Sequence, residues 1–333
     1  MSGGQALTNW TVLPGVDAAD YRSHPLHAED RIWVEKNCYA DIWIELLHAL
    51  KLDPIAAMPF VLGLDFEGDQ WTFFKPSHDD LWSLYGVDVQ ELNVWRPLVE
   101  HAAEHLAGGK LISTEADAFW LPDTAGTDYR RQHTKTTIVL NELDLEKQRL
   151  GYFHNAGYHA LEGEDFVKTF RLDAAADPSF MPLFAELVRV DRVVRRDRAD
   201  LVARSRGLLS KHLQRRPAHN PVARFADRFT REFPELQRAG LENYHRWAFG
   251  TLRQLGAAFE LAALHLRWLQ PEAEPPSAVA SFELIAQHSK ALILKGARAV
   301  NTGRALDAQA LFAEMAAAWD HGMAAAAELA PPT

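Results

Sequence analysis

Three residues of this chain have the types that nucleophilic catalysis needs: Cys38, His133 and Asn155. Cys38 is the single cysteine among 333 residues and stands at the head of NCYADIWIELLH. There Ile42, Trp43, Leu46, Leu47 and Leu50 recur at helical spacing until Asp53-Pro54 ends the run. A thiol at a helix N-terminus ionises more readily, because unpaired backbone N–H groups and the helix dipole stabilise the thiolate. A thiolate nucleophile needs a base, and the base needs an orienting partner. His133 opens HTKTTIVL and Asn155 lies in the returning GYFHNAGY, so a hairpin would let the two face each other near one end. A structural role for Cys38 is the competing account: it shares a stripe with Ile42 and Leu46, and free cysteines are among the most buried residue types.

Other groupings carry weaker chemistry. His101-Ala102-Ala103-Glu104-His105 has the spacing of an inverted zinc-peptidase motif, but 15 histidines make one such match unsurprising, and no metal site is expected. Asp65-Phe66-Glu67-Gly68-Asp69 reads as a solvated turn. The loop Asp123, Thr124, Gly126, Thr127, Asp128 precedes His133 and offers substrate contacts, with Arg130 and Arg131 suited to a phosphate or carboxylate. No Gly-rich phosphate loop or dinucleotide fingerprint is present.

The elements that must position these residues fall into two textures. Residues 30 to 170 alternate short strand-like and helix-like pieces, with strands expected at Pro59–Leu64, Gln70–Phe74, Val87–Val94 and Lys110–Leu121. The hairpin arms are His133–Leu140 and Arg149–Leu161. After Asp177-Pro178 five helices are expected: near Ser179–Arg215, Pro221–Phe233, Leu241–Leu269, Ser277–Val300 and Leu306–Leu329.

Composition sets the bounds. A hydrophobic content of 47% and a charged content of 24% are those of a globular chain. One cysteine excludes an intramolecular disulfide and any Cys-rich metal site. The start, MSGGQALTNWTVLPG, lacks a secretion signal, and no apolar run reaches membrane-spanning length, so a cytoplasmic location is expected. The net charge of −10 argues against nucleic-acid binding. Its distribution is uneven, because Arg189–Arg231 holds 12 Arg and one Lys against four Asp. Such a run either solvates helix faces or docks an acidic macromolecule, through Arg189, Arg192, Arg195, Arg196 and Arg198.

The hairpin resembles that of compact papain-like enzymes, the bacteriocin-processing peptidase domains and the butirosin-biosynthesis acyltransferase, where a histidine heads an apolar strand and an Asp or Asn ends the next. From about residue 25 to 320 the chain also looks like an uncharacterised bacterial family, often encoded beside amino acid:carrier-protein ligases and small acyl carrier proteins. NCYADIWIELLHALKLDP, DFEGDQWTFFKP, ELNVWRPL, HTKTTI, GYFHNAGY and RQLGAAFELAALHLRWL carry that likeness. Two departures from the peptidase pattern bear on the reaction. No Gln stands in the stretch Arg31–Asn37 just before Cys38, which leaves Asn37 or Trp33 as side-chain oxyanion donors, and Tyr39 replaces the usual small residue.

The resemblance implies an α+β fold: an extension over 1–29, a papain-like domain over 30–176 with a helix and an antiparallel sheet, and an all-α domain over 177–330. It implies a cysteine-dependent acyl or aminoacyl transferase. Cys38 would attack a carrier-protein thioester, His133 would shuttle the proton and Asn155 would hold the imidazole. Asp123, Thr124, Thr127 and Arg130 would border the substrate. The partner would be a small acidic acyl or aminoacyl carrier protein. No cofactor is expected beyond the phosphopantetheine that this partner brings. An amide or thioester hydrolase with the same triad, or a non-catalytic carrier-binding module, are the alternatives.

Overall fold

The structure, a computed structural model, describes residues 8–174, 183–271 and 274–331. In chain order its first elements are β1 (Asn9–Thr11), α1 (Cys38–Ala49), a run of 3₁₀ turns (Pro54–Gly63), β2 (Phe66–Glu67), β3 (Gln70–Trp71), α2 (His78–Tyr85) and β4 (Asp88–Glu91). There follow α3 (Leu98–Ala107), β5 (Leu111–Asp117), β6 (Lys135–Asp144), β7 (Arg149–His154), β8 (Gly157–Glu162), α4 (Glu164–Thr169) and β9 (Ala185–Arg189). Helices complete the order: α5 (Arg198–Gln214), α6 (Pro221–Ala239), α7 (Leu241–Gly250), α8 (Leu252–Leu269), α9 (Ser277–Thr302) and α10 (Gln309–Ala327). The fold is α+β, an antiparallel sheet in the N-terminal part followed by a helical C-terminal half. Among the described residues no helix is long and apolar enough to cross a membrane.

The chain divides into two compact units that interleave in sequence. The first comprises Met1–Pro25, Asp41–Leu52 and Leu81–Arg195; the second comprises Leu26–Ala40, Asp53–Asp80 and Arg196–Thr333. The expected boundary at 176/177 lies outside the described residues.

The first unit is built on an antiparallel sheet of order β4-β9-β5-β6-β7-β8, with β1 paired to the far end of β6. Alternate residues of its strands, among them Ile112, Ile138, Leu140, Leu150, Tyr152 and Leu161, pack with Val99, Ala102 and Leu106 of α3 and with Phe166 and Phe170. A bulge at Asn141 interrupts the β6–β7 register. Its side chain accepts from Leu13 N at 2.7 Å and donates to the Tyr158 hydroxyl at 3.0 Å, which pins the incoming N-terminal segment to the sheet.

The second unit is helical, with α8 beside α9 and α9 beside α10. Its one long irregular element, Pro54–Gly63, packs on α5 and α8. Strand geometry was expected over part of this run, and 3₁₀ turns are found. Asp53 caps its start by accepting from Ile55 N at 3.1 Å, and Pro54 and Pro59 fix φ in the helical range.

Tertiary context also redraws other elements. The strand expected over Gln70–Phe74 is confined to Gln70–Trp71. Ser179 lies outside the described residues, and the helix expected to start near it begins only at Arg198. Ala185–Arg189 is instead a central strand between β4 and β5. Helix α6 runs through Pro234. That proline costs about 3 kcal/mol, and burial of Phe225, Phe229 and Phe233 offsets it at about 1.5–3 kcal/mol each. The single helix expected over Leu241–Leu269 is broken at Thr251, whose backbone leaves the helical region.

Candidate functional site

Cys38 is the first residue of α1 and belongs to the second unit. Asn37 caps the helix: its Oδ1 accepts from Ala40 N at 2.9 Å, while its Nδ2 donates to Phe74 O at 2.9 Å. The preceding loop is held from inside. The ammonium of Lys36 is fully buried and donates to the carbonyls of Leu26 (2.7 Å), Trp33 and Val34 (3.3 Å), using its three N–H groups. Glu260 of α8 lies 3.8 Å from it and accepts from the amides of Ile32 (3.0 Å) and Trp33 (3.1 Å). A buried charge of either sign is costly alone, and here each is paired and hydrogen-bonded. The Trp33 indole donates to Ala286 O at 3.3 Å and lies against Gly256, where an added Cβ would come within 2.6 Å of the ring. Asn37 and Trp33, the expected oxyanion donors, are thus engaged within the protein.

Burial separates Cys38 from the stripe it shares in sequence. Ile42 and Leu46 are at most 1% exposed, whereas Cys38 is half-buried. Its neighbour Tyr39 makes a 3.1 Å hydrogen bond with His78 Nε2, and the Lys75 ammonium lies 4.9 Å above the Tyr39 ring.

His133 and Asn155 both belong to the first unit, and no hydrogen bond joins them among the described residues. Asn155 sits in the two-residue turn between β7 and β8 with φ of 46°, a left-handed conformation that Asn tolerates better than most residues. The expected single arm Arg149–Leu161 is therefore two strands. His133 precedes β6, is largely exposed, stacks on Phe119 at 4.4 Å and pairs its Nδ1 with Asp117 Oδ2 at 2.6 Å. Its orienting group is a carboxylate at the end of β5.

The densest polar cluster of the sheet lies one residue from Asn155. His154 is 1% exposed; its Nδ1 donates to Asp123 Oδ2 at 2.6 Å, and its Nε2 meets Thr136 Oγ1 at 2.8 Å. The Tyr152 hydroxyl donates to Asp123 Oδ1 at 2.5 Å, and His159 Nε2 lies 3.9 Å from Asp123 Oδ2. Burial pushes the Asp123 carboxyl up, but the hydrogen bond from His154, the neighbouring imidazoles and the hydrogen bond from Tyr152 bring it below its usual value. Burial lowers the His159 imidazole, against the pull of Asp123, so the ring is neutral at neutral pH. Glu45, in the part of α1 that belongs to this unit, is fully buried, accepts from the Tyr21 hydroxyl at 2.6 Å and from His24 N at 3.0 Å, and adds its charge at His159.

A neutral, one-third-exposed imidazole beside an ionised carboxylate can accept a proton and be stabilised as it charges. The sequence signal for this cluster was present in period two: Tyr152 and His154 share one face of β7 and both reach Asp123. Asp123 was expected to touch substrate and instead anchors the cluster. Thr124 is buried on the carbonyls of Ala118 and Leu121, both at 2.9 Å; Thr127 bonds Thr124 O. Arg130 pairs with Glu164 and Asp165 and lies over Trp120.

Several of the expected docking arginines have intramolecular partners. Arg189 pairs with Asp88 at 2.9 Å, Arg195 donates to Leu50 O, Arg196 pairs with Asp200, and Arg198 lies over Trp268 near Asp53. His101 accepts from Trp95 N at 3.4 Å, and Glu104 pairs with Arg96. Asp65 of the acidic turn pairs with Arg224. Among the described residues no group of three His, Cys, Asp or Glu is placed to hold a metal ion.

The fold is thus that of an α+β protein with a helical C-terminal half. Its family is given by two matches, the DUF1839 N-terminal domain over residues 22–190 and the DUF1839 C-terminal domain over residues 198–328. The chain belongs to the DUF1839 family. No curated protein matches it.

Proposed function

We propose that this protein is a cysteine-dependent acyl or aminoacyl transferase that takes its acyl group from a thioester, with Cys38 as nucleophile. The observation that carries the reading is the setting of Cys38: the lone thiol heads α1, outside the buried stripe of that helix, on a loop fixed by the buried Lys36–Glu260 pair. A structural cysteine needs no such support. The N-terminal partial charge of α1 favours the thiolate.

In the proposed reaction the Cys38 thiolate attacks the thioester carbonyl, a new S-acyl bond forms, and the donor thiol leaves with the proton that Cys38 gave up. An acceptor nucleophile then takes the acyl group and releases Cys38. With Asn37 and Trp33 engaged elsewhere, the reading assigns the oxyanion to backbone N–H groups at the start of α1. The proton shuttle in this proposal is His133, as the sequence suggests, with Asp117 rather than Asn155 as its partner. The resemblance to carrier-linked systems supports an acidic carrier protein as donor, docking on the arginine-rich run, where Arg206 and Arg231 have no carboxylate partner among the described residues.

The test is mass spectrometry of the purified protein after mixing with an aminoacyl carrier protein. The expected result is an aminoacyl adduct on the peptide that contains Cys38, absent from Cys38→Ala. Transfer that survives Cys38→Ala would overturn the reading, and release of free amino acid alone would make the protein a hydrolase.

A further inference from the structure

The helical unit carries a cavity that the acyl-transfer reading does not use. It encloses about 500 Å³, within the usual range for small-molecule sites, and lies wholly inside that unit. Lys75, Arg215, His78 and His212 line it with the hydroxyls of Thr72 and Ser77, while Phe60, Phe73 and Phe74 supply an apolar wall. No carboxylate lines it among the described residues.

The two full charges are available. The Arg215 guanidinium makes no hydrogen bond or ion pair among the described residues. The Lys75 ammonium lies 4.9 Å above the face of Tyr39, and among the described residues its three N–H donors have no acceptor. Arg196, Arg204, Arg224 and Arg228 of the same run, by contrast, each pair with a carboxylate.

The wall behind these cations is rigid. His212 is buried and donates its Nε2 to Asp80 Oδ2 at 2.7 Å, while Lys211 donates to Asp80 Oδ1 at 2.6 Å. Asp80 is itself fully buried, so the carboxylate is spent on fixing His212 and does not face the cavity as a counter-charge. Ser77 Oγ accepts from Asp80 N at 3.2 Å and caps α2, whose positive end therefore begins at the cavity wall. The carbonyl end of α5 reaches the same wall with about half a negative charge. The full charges of Lys75 and Arg215 outweigh it.

From these observations we infer that the cavity binds an organic phosphate: a phosphate monoester dianion held by Lys75 and Arg215, with its organic part against Phe60 and Phe73. Two uncompensated cations match a dianion better than a single carboxylate. The hydroxyls of Thr72 and Ser77 on the same lining can donate to further phosphate oxygens. Phe73 is 56% exposed, a large apolar side chain left for a ligand to cover. The inference concerns binding alone and stands or falls separately from the chemistry of Cys38.

Calorimetric titration of the full chain in its Cys38→Ala form, with phenyl phosphate and with inorganic phosphate as probes, tests it. The expected result is 1:1 saturable binding of phenyl phosphate, at least about tenfold tighter than inorganic phosphate and weakening with salt. Lys75→Ala and Arg215→Ala should each weaken it about tenfold, in line with loss of one charge-assisted contact of about 1.4 kcal/mol, whereas Arg215→Lys should retain part of it. Both positions are exposed, so the variants should fold normally, which their circular dichroism checks. Binding that is absent, or undiminished in the Lys75→Ala/Arg215→Ala double variant, would overturn the site. Equal affinity for the two probes would overturn its assignment to an ester.

Discussion

Both units of this protein contain a buried aspartate–histidine pair, Asp123–His154 and Asp80–His212, and the two pairs differ in what surrounds them. In the sheet unit, Asp123 holds His154 and accepts the Tyr152 hydroxyl, and its further neighbour, His159, is neutral and partly open to solvent. In the helical unit, Asp80 holds His212 and is also paired with Lys211, beside a cavity lined by further cations. In both, burial pushes the carboxyl up and the hydrogen bonds more than compensate, so each stays ionised well into acid. The lesson is that a buried carboxylate–histidine pair has no fixed meaning. Beside a neutral imidazole it can assist proton transfer; beside fixed cations it anchors a wall.

The largest expected effect separates the pairs by stability. Asp80→Asn leaves Lys211 and His212 without their carboxylate and should cost about 3–5 kcal/mol. Asp123→Asn removes a carboxylate whose partners include no permanent cation and should cost about 1.5–3 kcal/mol. Urea unfolding measures both, and equal losses would break the contrast. The pH dependence sharpens it. Because each folded carboxyl is depressed, its contribution is present above the unfolded aspartate value, about 3.9, and is lost as pH falls through the folded value. The urea midpoint of the native protein should therefore drop below about pH 4, with a shallower fall in Asp80→Asn.

A rate effect comes next. His133→Gln should lower acyl transfer about 100-fold while shifting stability by less than about 0.5 kcal/mol, since His133 is largely exposed. An unchanged rate would remove His133 from the proposed reaction. The smallest effect is local. Thr136→Val removes the hydroxyl that meets His154 Nε2 and should cost about 1 kcal/mol, read as a shift of the urea midpoint.

Much of the fold was legible in the residues. The start of α1 at Cys38, the β6 arm and the helical texture of the C-terminal half follow from apolar periodicity and capping. The elements that were misread were decided by distant partners. Ala185–Arg189 is a strand because β4 and β5 leave a gap between them for it, and Pro59–Gly63 is 3₁₀ because it packs along α5 and α8. Of the candidate residues, the place of Cys38 at the head of α1 was legible in the spacing, whereas in GYFHNAGY Asn155 makes the turn and His154 carries the hydrogen bonds.

The sequence by itself determined that a lone thiol heads an amphipathic helix, that a histidine-bearing hairpin follows, and that cations concentrate between residues 189 and 231. These are local facts, set by spacing, capping and charge count. Only the tertiary structure decided which of these groups are engaged. It paired Lys36 with Glu260 across more than two hundred residues, gave His133 a carboxylate instead of an amide, and put Arg215 and Lys75 on one cavity that no carboxylate lines among the described residues. The physical reason is that a side chain's chemistry depends on burial and on its nearest charges, and both are set by residues far away along the chain.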